Sequence, residues 1–426
     1  MMTDKGQQTL PGAREAGSFW AYDTRPAPGG RQLLLLDNVQ FIYELALAEL
    51  ELQSLGARFE VTNSLREFKL LETSDDEELR RRLAYFKFVR GKYTDYFQII
   101  RKNRKRSVNQ YLTHWIYPYK GKFHPQMIRA LLNIIGLEPG DTVLDPFIGS
   151  GTTAVESQLL GIDCIGIDIS PLCVLQSRVK TESIAVLPQI IELREEITGR
   201  ITPSLFNLEA KTLEETINLI PDDRVRNFYQ MARLVAVSDS TRRRRQFSTA
   251  FLKNLELMIA SVGDYVQIVK ELDLRLGKLD IRSGDSRALP LDNESVDGIV
   301  TSPPYSIALD YVANDAHALR ELGYDLPESR EGFIGVRGKG QTRIELYNED
   351  IKKSLEEMSR VLKPQKYAAI VIGNATYLGQ EVKTVELTIE HAEKIGLKLA
   401  KSIDKIIFGL YNVMQREKIL IFRKMR

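Results

Sequence analysis

Asp141-Thr-Val-Leu-Asp145-Pro-Phe-Ile-Gly149-Ser-Gly151-Thr-Thr153 decides the fold of this 426-residue chain. Its first five residues read as a short strand, its glycines as a turn, and the residues from Thr152 to Leu160 as a helix. Ile162-Asp-Cys-Ile-Gly-Ile-Asp168 follows as the next strand, and Ser170-Pro171 makes an N-cap and first-turn pair for another helix. The rhythm resumes with strands at Lys278–Asp285 and Val296–Thr301, a helix over Asn348–Leu362, the strand Tyr367–Gly373 and a helix over Val382–Ile395. Ser402–Phe408 and Glu417–Phe422 read as an antiparallel pair. Strands alternating with helices predict an α/β fold, a doubly wound and mostly parallel sheet ending in an antiparallel hairpin.

Outward from this frame, the α/β domain is expected over 111–180 and 274–426. Residues 1–30, with Pro11, Pro26, Pro28 and Gly29-Gly30, read as a flexible arm. From 31 to 110 the pattern predicts a helical, basic N-terminal region. Gln32 to Leu55 carries apolar residues at helical spacing, and the capping box Ser74-Asp-Asp-Glu77 opens a second helix running through the basic stretch. Residues 181–273 interrupt the α/β rhythm as a helical insert bearing Arg242-Arg243-Arg244-Arg245.

A net charge of +2 hides a strong asymmetry. Between Arg81 and Lys122 twelve Lys/Arg face a single acid, Asp95, and ten aromatics are interleaved with them. Basic side chains mixed with aromatics suit a polyanion that also offers bases for stacking. The aromatics are read as core; Arg101, Lys102, Arg104, Lys105 and Arg106 are read as phosphate contacts. The glycine-rich segment Gly335–Arg343, with Arg337, Lys339 and Arg343, reads as a mobile basic loop near the site. Two cysteines and four histidines offer no disulfide framework and no metal cluster. No run of about 18 apolar residues is found and the first residues lack the apolar core of a signal peptide, so a cytoplasmic protein is expected.

Glycines between a strand and a helix let the backbone approach a ligand, and the helix start presents unpaired N–H groups. About 20 residues on, Asp168 ends the neighbouring strand, where an acid can accept both hydroxyls of a ribose. A phosphate-binding loop of the ATP type needs Gly-Lys-Ser/Thr, and Gly151 is followed by Thr152-Thr153. Asp145 at the strand tip suits a cationic or amino-bearing ligand better than a pyrophosphate. An amino acid joined to adenosine, as in S-adenosylmethionine, fits this charge pattern, with Asp285 as an acceptor for the adenine amino group.

Thr301-Ser302-Pro303-Pro304-Tyr305 closes the strand Val296–Thr301. Two prolines cannot continue a sheet ladder, so the backbone is forced into a rigid turn. The Ser302 hydroxyl and the Pro303 carbonyl can accept both N–H bonds of an amine, and Tyr305 can stack on a planar ring. Attack through carbon 5 of a pyrimidine needs a cysteine nucleophile, and Cys164 and Cys173 lie away from this turn.

DPFIGSGTT, then GIDIS, then SGDSRALPLDNESVDGIVTSPPY resembles the amino-group DNA methyltransferases over about residues 110–180 and 278–426. The resemblance implies a seven-stranded Rossmann-like sheet and S-adenosylmethionine as methyl donor. It implies a donor site at Lys120, His124, Pro125, Asp145, Pro146, Phe147, Gly149, Gly151, Thr152, Asp168, Ile169, Asp285, Ser286 and Thr301. Ser302, Pro303, Pro304 and Tyr305 match the family's catalytic motif. A serine at its first position leans toward cytosine N4, with adenine N6 or an RNA base amine as alternatives and a non-catalytic nucleic-acid-binding subunit as a third reading. Double-stranded DNA is the implied partner, alongside a cognate restriction nuclease or defence partner. The chain departs from the family's arrangement by placing its large insert between the second and third motifs. That insert, the basic N-terminal region and the 335–343 loop are the candidates for reading the target sequence.

Overall fold

The structure is a computed structural model that describes residues 32–426 apart from 63–64, 74, 103–108, 200–207, 305–308, 378–379 and 409–413. The expected arm 1–30 therefore lies outside the described residues, as do Arg104, Lys105, Arg106 and Tyr305. Seven strands build the central sheet: β1 (Thr142–Asp145), β2 (Asp163–Asp168), β3 (Leu279–Ser283), β4 (Val296–Thr301), β5 (Leu362–Gly373), β6 (Leu397–Phe408) and β7 (Met414–Lys424). Their order across the sheet is β6-β7-β5-β4-β1-β2-β3. The five from β3 to β5 run parallel, and β7 lies antiparallel between β5 and β6. Every residue of β4 is buried, as for a strand covered by helices on both faces. The mostly parallel sheet and its final hairpin are as the alternating pattern predicts.

Strand order reverses at β1, which has β2 on one side and β4 on the other. At such a switch point the connections leave in opposite directions and open a crevice beyond the carboxyl ends of the strands. Helices α1 (Pro125–Ile134), α2 (Thr152–Leu159) and α3 (Pro171–Glu182) surround this crevice in sequence. Ser170 and Pro171 hold the N-cap and first-turn positions of α3.

The N-terminal region is corrected: it is not helical but mixed. Strands Arg58–Val61, Glu67–Glu72, Gln32–Leu35, Phe86–Val89 and Lys92–Tyr93 form an antiparallel sheet in that order. The helix capped by Asp75 ends at Arg82 after 7 residues instead of running on. Beyond it the β-prone run Phe86-Lys-Phe-Val89 pairs with Gln32–Leu35, and Arg90-Gly91, both at positive φ, turn the chain into Lys92–Tyr93. The helix expected from Gln32 starts at Ile42 and ends at Ser54. This unit shares one core with α1, α2 and β1, with Leu33, Leu47, Phe86 and Tyr96 alongside Met127, Val143 and Val155.

Helices α4 (Leu187–Gly199), α5 (Leu208–Asn218), α6 (Asp223–Arg243) and α7 (Phe247–Glu271) form the insert. They build a second core, with Ile190, Phe228, Leu234 and Phe251, that is seated on Leu172, Leu175 and Val179 of α3. Helix α8 begins at Gly340, not near Asn348, and runs to Val361; α9 spans Thr384–Lys394. Among the described residues no helix is long and apolar enough to cross a membrane.

Candidate active site

A cavity of about 540 Å³ opens at the switch point. Because β1 to β4 are parallel, their carboxyl ends deliver four loops to this one edge. Pro146, Phe147, Gly149, Asp168, Ile169, Asp285, Ser286, Ser302 and Pro304 all line the cavity, so the glycine turn, the β2 acid, the β3 loop and the Pro-Pro turn meet there. Lys120 and His124, just ahead of α1, line it as well.

The glycine turn is held from below by α3. Gln176 Nε2 donates to the Gly149 carbonyl at 2.9 Å, and Lys180 Nζ donates to the Ser150 carbonyl at 2.6 Å. Lys180 is fully buried, and burial drives its ammonium well below the usual lysine range. Gly151 sits at φ +75° against α3: a Cβ there would lie 2.7 Å from Ser177 Oγ and 2.9 Å from its Cα. No other residue could bring the start of α2 so close.

Asp168 has the acceptor chemistry that the ribose of S-adenosylmethionine requires. Its Oδ2 accepts the Gly149 N–H and its Oδ1 accepts the Ser170 N–H, each at 2.9 Å. A carboxylate has about four lone-pair sites, so this leaves acceptor capacity toward the cavity, which suits the two hydroxyls of a ribose. Burial lifts the Asp168 carboxyl to about 6, against the pull of these backbone donors. Asp285 faces the same space but shares its oxygens with Arg287, at 2.9 and 2.6 Å. Burial works to raise its carboxyl, and the Arg287 hydrogen bonds overcome this and hold it below the ordinary range. Ser286 Oγ is bonded to Ser354 Oγ of α8 at 2.9 Å.

Asp145, read as a partner for a cationic ligand, is turned inward and is not part of the lining. It accepts Thr301 Oγ1 at 2.6 Å, Thr153 Oγ1 at 2.7 Å and the Phe147 N–H at 3.1 Å. Its carboxylate thus ties the end of β1 to the start of α2 and to the end of β4, and burial lifts it to about 6. Gly151, Thr152, Thr301 and Pro125 likewise sit behind the wall as buried framework, with Pro125 at the first position of α1, and Pro303 is buried in the turn between the lining residues Ser302 and Pro304. His124 Nε2 lies 2.9 Å from Asn109 Nδ2, and burial lowers its ring to about 4. Lys120 Nζ donates to Asn314 Oδ1 at 2.8 Å.

The Pro-Pro turn is braced from α8, where the buried Tyr347 hydroxyl donates to the Pro304 carbonyl at 2.8 Å. Residues missed by the sequence reading complete the cavity: Phe41 and Tyr43 from the N-terminal region, Tyr119 and Tyr311, and Lys405 with Glu417 from the hairpin. Nothing local marks them, since each comes from an element whose packing depends on the whole fold.

The basic candidates are placed unevenly. Arg337 pairs with the buried Asp350, and Arg343 Nε donates to the Gly335 carbonyl at 2.6 Å. The expected mobile loop is therefore corrected: both arginines are tied into the support of α8, and Lys339 is its N-cap. Arg101 lies over the Tyr93 and Phe97 rings, and Lys102 pairs with Glu271 of the insert at 2.7 Å. Arg242 Nη2 donates to the Asn314 carbonyl at 3.0 Å, beside the cavity residue Asp315. Arg243 and Arg245 pair with Asp239, and Arg244 caps α6 in the left-handed region. Among the described residues no group of three or more His, Cys, Asp or Glu is arranged for a metal.

A family model described as a DNA methylase matches residues 38–177, and one described as an RMKL-like methyltransferase domain matches 116–263. The type II methyltransferase M.MjaII of Methanocaldococcus jannaschii is 25% identical over 418 residues, covering 70% of this chain and 77% of that protein. M.BsoBI of Geobacillus stearothermophilus is 26% identical over 291 residues, covering 52% of this chain; the chain spans 55% of its length. A tRNA (guanine(10)-N2)-dimethyltransferase of M. jannaschii is 29% identical over 131 residues, 31% of each chain. Among solved structures, TrmN from Thermus thermophilus aligns at a TM-score of 0.33 with 13% identity, covering 87% of this chain and 59% of that one.

Proposed function

We propose that this chain is an S-adenosylmethionine-dependent amino-group DNA methyltransferase, as its motifs and its type II relatives support, and that it methylates the exocyclic N4 of a cytosine flipped out of duplex DNA. The observation that carries this is the meeting of Asp168, at the end of β2, and Ser302, just beyond β4, in one cavity on either side of β1. S-adenosylmethionine, when bound, supplies an electrophilic methyl group on a sulfonium that is already a good leaving group. Asp168 would hold its ribose, Phe147 and Ile169 would flank its adenosine, and Lys120 and His124 would close its methionine end.

The chain's own work is on the acceptor. The amine of cytosine is a poor nucleophile because its lone pair is delocalised into the ring. Ser302 Oγ and the Pro303 carbonyl accept its two N–H bonds, which favours a pyramidal nitrogen and localises the lone pair. Tyr347 engages the neighbouring Pro304 carbonyl and so fixes the turn that must hold this geometry. Because the sulfonium is already a good leaving group, positioning outweighs base catalysis and the proton passes to water after transfer. Tyr305 is assigned the stacking role on the flipped ring.

The serine in the catalytic motif favours cytosine N4 over adenine N6. The tRNA-modifying relatives favour a base amine of RNA as the second reading. The test is to incubate the protein with tritiated S-adenosylmethionine and duplex DNA, single-stranded DNA or tRNA, then digest and identify the labelled nucleoside. N4-methylcytosine from duplex DNA is the expected result; label confined to RNA overturns the DNA reading. Ser302→Ala should cut transfer at least about 100-fold with cofactor affinity retained, and full activity in that variant refutes its role. A place in a restriction–modification system, with a cognate nuclease, accords with the type II relatives.

A further inference from the structure

The C-terminal hairpin changes polarity at the point where it reaches the cavity. On one face of β6 and β7, Ile403 is paired across the strands with Ile419, and two residues further along Lys405 is paired with Glu417. Ile419 and Ile421 are buried in the main core, with Ile403 packed against it. The intervening rung, Asp404 with Lys418, points the other way as a largely exposed pair 2.6 Å apart. Lys405 Nζ and a Glu417 carboxylate oxygen form an ion pair in which both side chains are only 9% exposed. Both residues line the cavity. Burying two charges costs desolvation energy, and an apolar pair would brace the hairpin as well.

The pair lies in the same cavity as the Pro-Pro turn. The charge of Lys405 is felt by Glu44 and His124, and that of Glu417 by Tyr43 and Tyr311. Tyr43, His124 and Tyr311 share the cavity lining with Ser302 and Pro304. An ammonium has three donors and no acceptor, so the bond to Glu417 leaves donors for a ligand.

We propose that Lys405, oriented by Glu417, donates a hydrogen bond to the Watson–Crick ring nitrogen of the flipped base. This rests on the amino-methyltransferase reading and deepens it. Cytosine N3 and adenine N1 are acceptors next to the carbon that bears the amine. Guanine carries an N–H at its Watson–Crick ring position, so the lysine meets a donor there and disfavours it. The pair therefore selects cytosine or adenine and rejects the guanine amine.

The test compares wild type, Lys405→Met and the double exchange Lys405→Glu/Glu417→Lys. Transfer rates are read from tritiated S-adenosylmethionine on unmodified genomic DNA and on tRNA, alongside Tm and cofactor affinity. Loss of one charged hydrogen bond lowers the Lys405→Met rate about 10- to 100-fold with cofactor affinity unchanged. The exchange rebuilds the cross-strand pair, so Tm returns, but the ammonium now starts from the other strand and the rate stays low. Recovery of rate together with Tm overturns the proposal and makes the pair a hairpin brace, as does an unchanged rate in Lys405→Met. The wild-type digest separates the two levels. Methylguanine overturns the role of Lys405, whereas methylcytosine or methyladenine found only in tRNA overturns the DNA reading and leaves that role intact.

Discussion

Affinity for S-adenosylmethionine should fall about tenfold between pH 7 and pH 5, with Asp168 as the cause. Burial holds the Asp168 carboxyl at about 6, against an ordinary value of 3.8. The proposed ribose contacts use the ionised form as acceptor. At pH 7 about nine-tenths of the population is ionised and at pH 5 about one-tenth, which sets the tenfold loss. An aspartate at its ordinary value would give almost no change over this range. The sign for folding is the opposite. A raised folded-state value means stability that is complete below about pH 4 and lost as pH rises through 6, worth at most about 3 kcal/mol. The ligand-free protein should thus lose stability over the interval in which it gains cofactor affinity. Calorimetric titration from pH 5 to 7 at constant ionic strength reads the affinity, and buffers of different ionisation enthalpy should show about half a proton released on binding at pH 6. Asp168→Asn keeps the shape, but its amide N–H₂ opposes one of the two backbone donors that now hold the carboxylate. That variant should bind weakly at every pH with no slope. A wild-type affinity that is flat between pH 7 and 5, or an equal slope in Asp168→Asn, refutes the reasoning.

Tyr347→Phe removes the hydroxyl that donates to Pro304, at a cost of about 1 kcal/mol in stability. Single-turnover methyl transfer should slow several-fold with cofactor affinity unchanged, and an equal loss in both would place the tyrosine's effect in the donor site instead. Gly151→Ala forces a Cβ to 2.9 Å from the Ser177 Cα at a positive φ, so α2 must move off α3. A drop of more than about 2 kcal/mol in chemical denaturation is expected, and a stable variant with intact cofactor binding would show that the close approach is dispensable.

The sheet was legible because its strands follow a two-residue or fully apolar pattern and are cut by Gly, Pro and Asp at their ends. The cofactor side was legible for the same reason, since a strand-end acid and a glycine turn must sit next to each other in a parallel sheet. What local pattern could not convey was where carboxylates turn. Asp145 and Asp168 both end strands, yet one stitches Thr153 to Thr301 and the other faces the cavity. The N-terminal region failed on chemistry of another kind. A capping box starts a helix but does not say how far it runs, and Arg90-Gly91 carries a hairpin turn without the usual Asn-Gly signature. Basic composition also misled, because Arg82 is spent on Asn133 and Glu138 and Lys87 is buried among Phe88 and Phe97.

The two additions to the sheet are joined to the site, not appended to it. Glu51 of the N-terminal unit accepts Asn133 Nδ2 of α1 at 2.6 Å and the Ala84 N–H at 2.9 Å, and burial lifts it to about 7. Arg129 of α1 donates in return to the carbonyls of Arg82 and Arg81. A partly satisfied polar network of this kind resists sliding, because displacing one member strands the others without partners. The same unit supplies Phe41 and Tyr43, rings stacked with centroids 5.8 Å apart, to the cavity wall. On the other side, Arg242 of the insert reaches Asn314 and Asp315, which follow the Pro-Pro turn. Both additions thus reach the wall of one cavity through side chains that are themselves paired, so displacing either unit disturbs that wall.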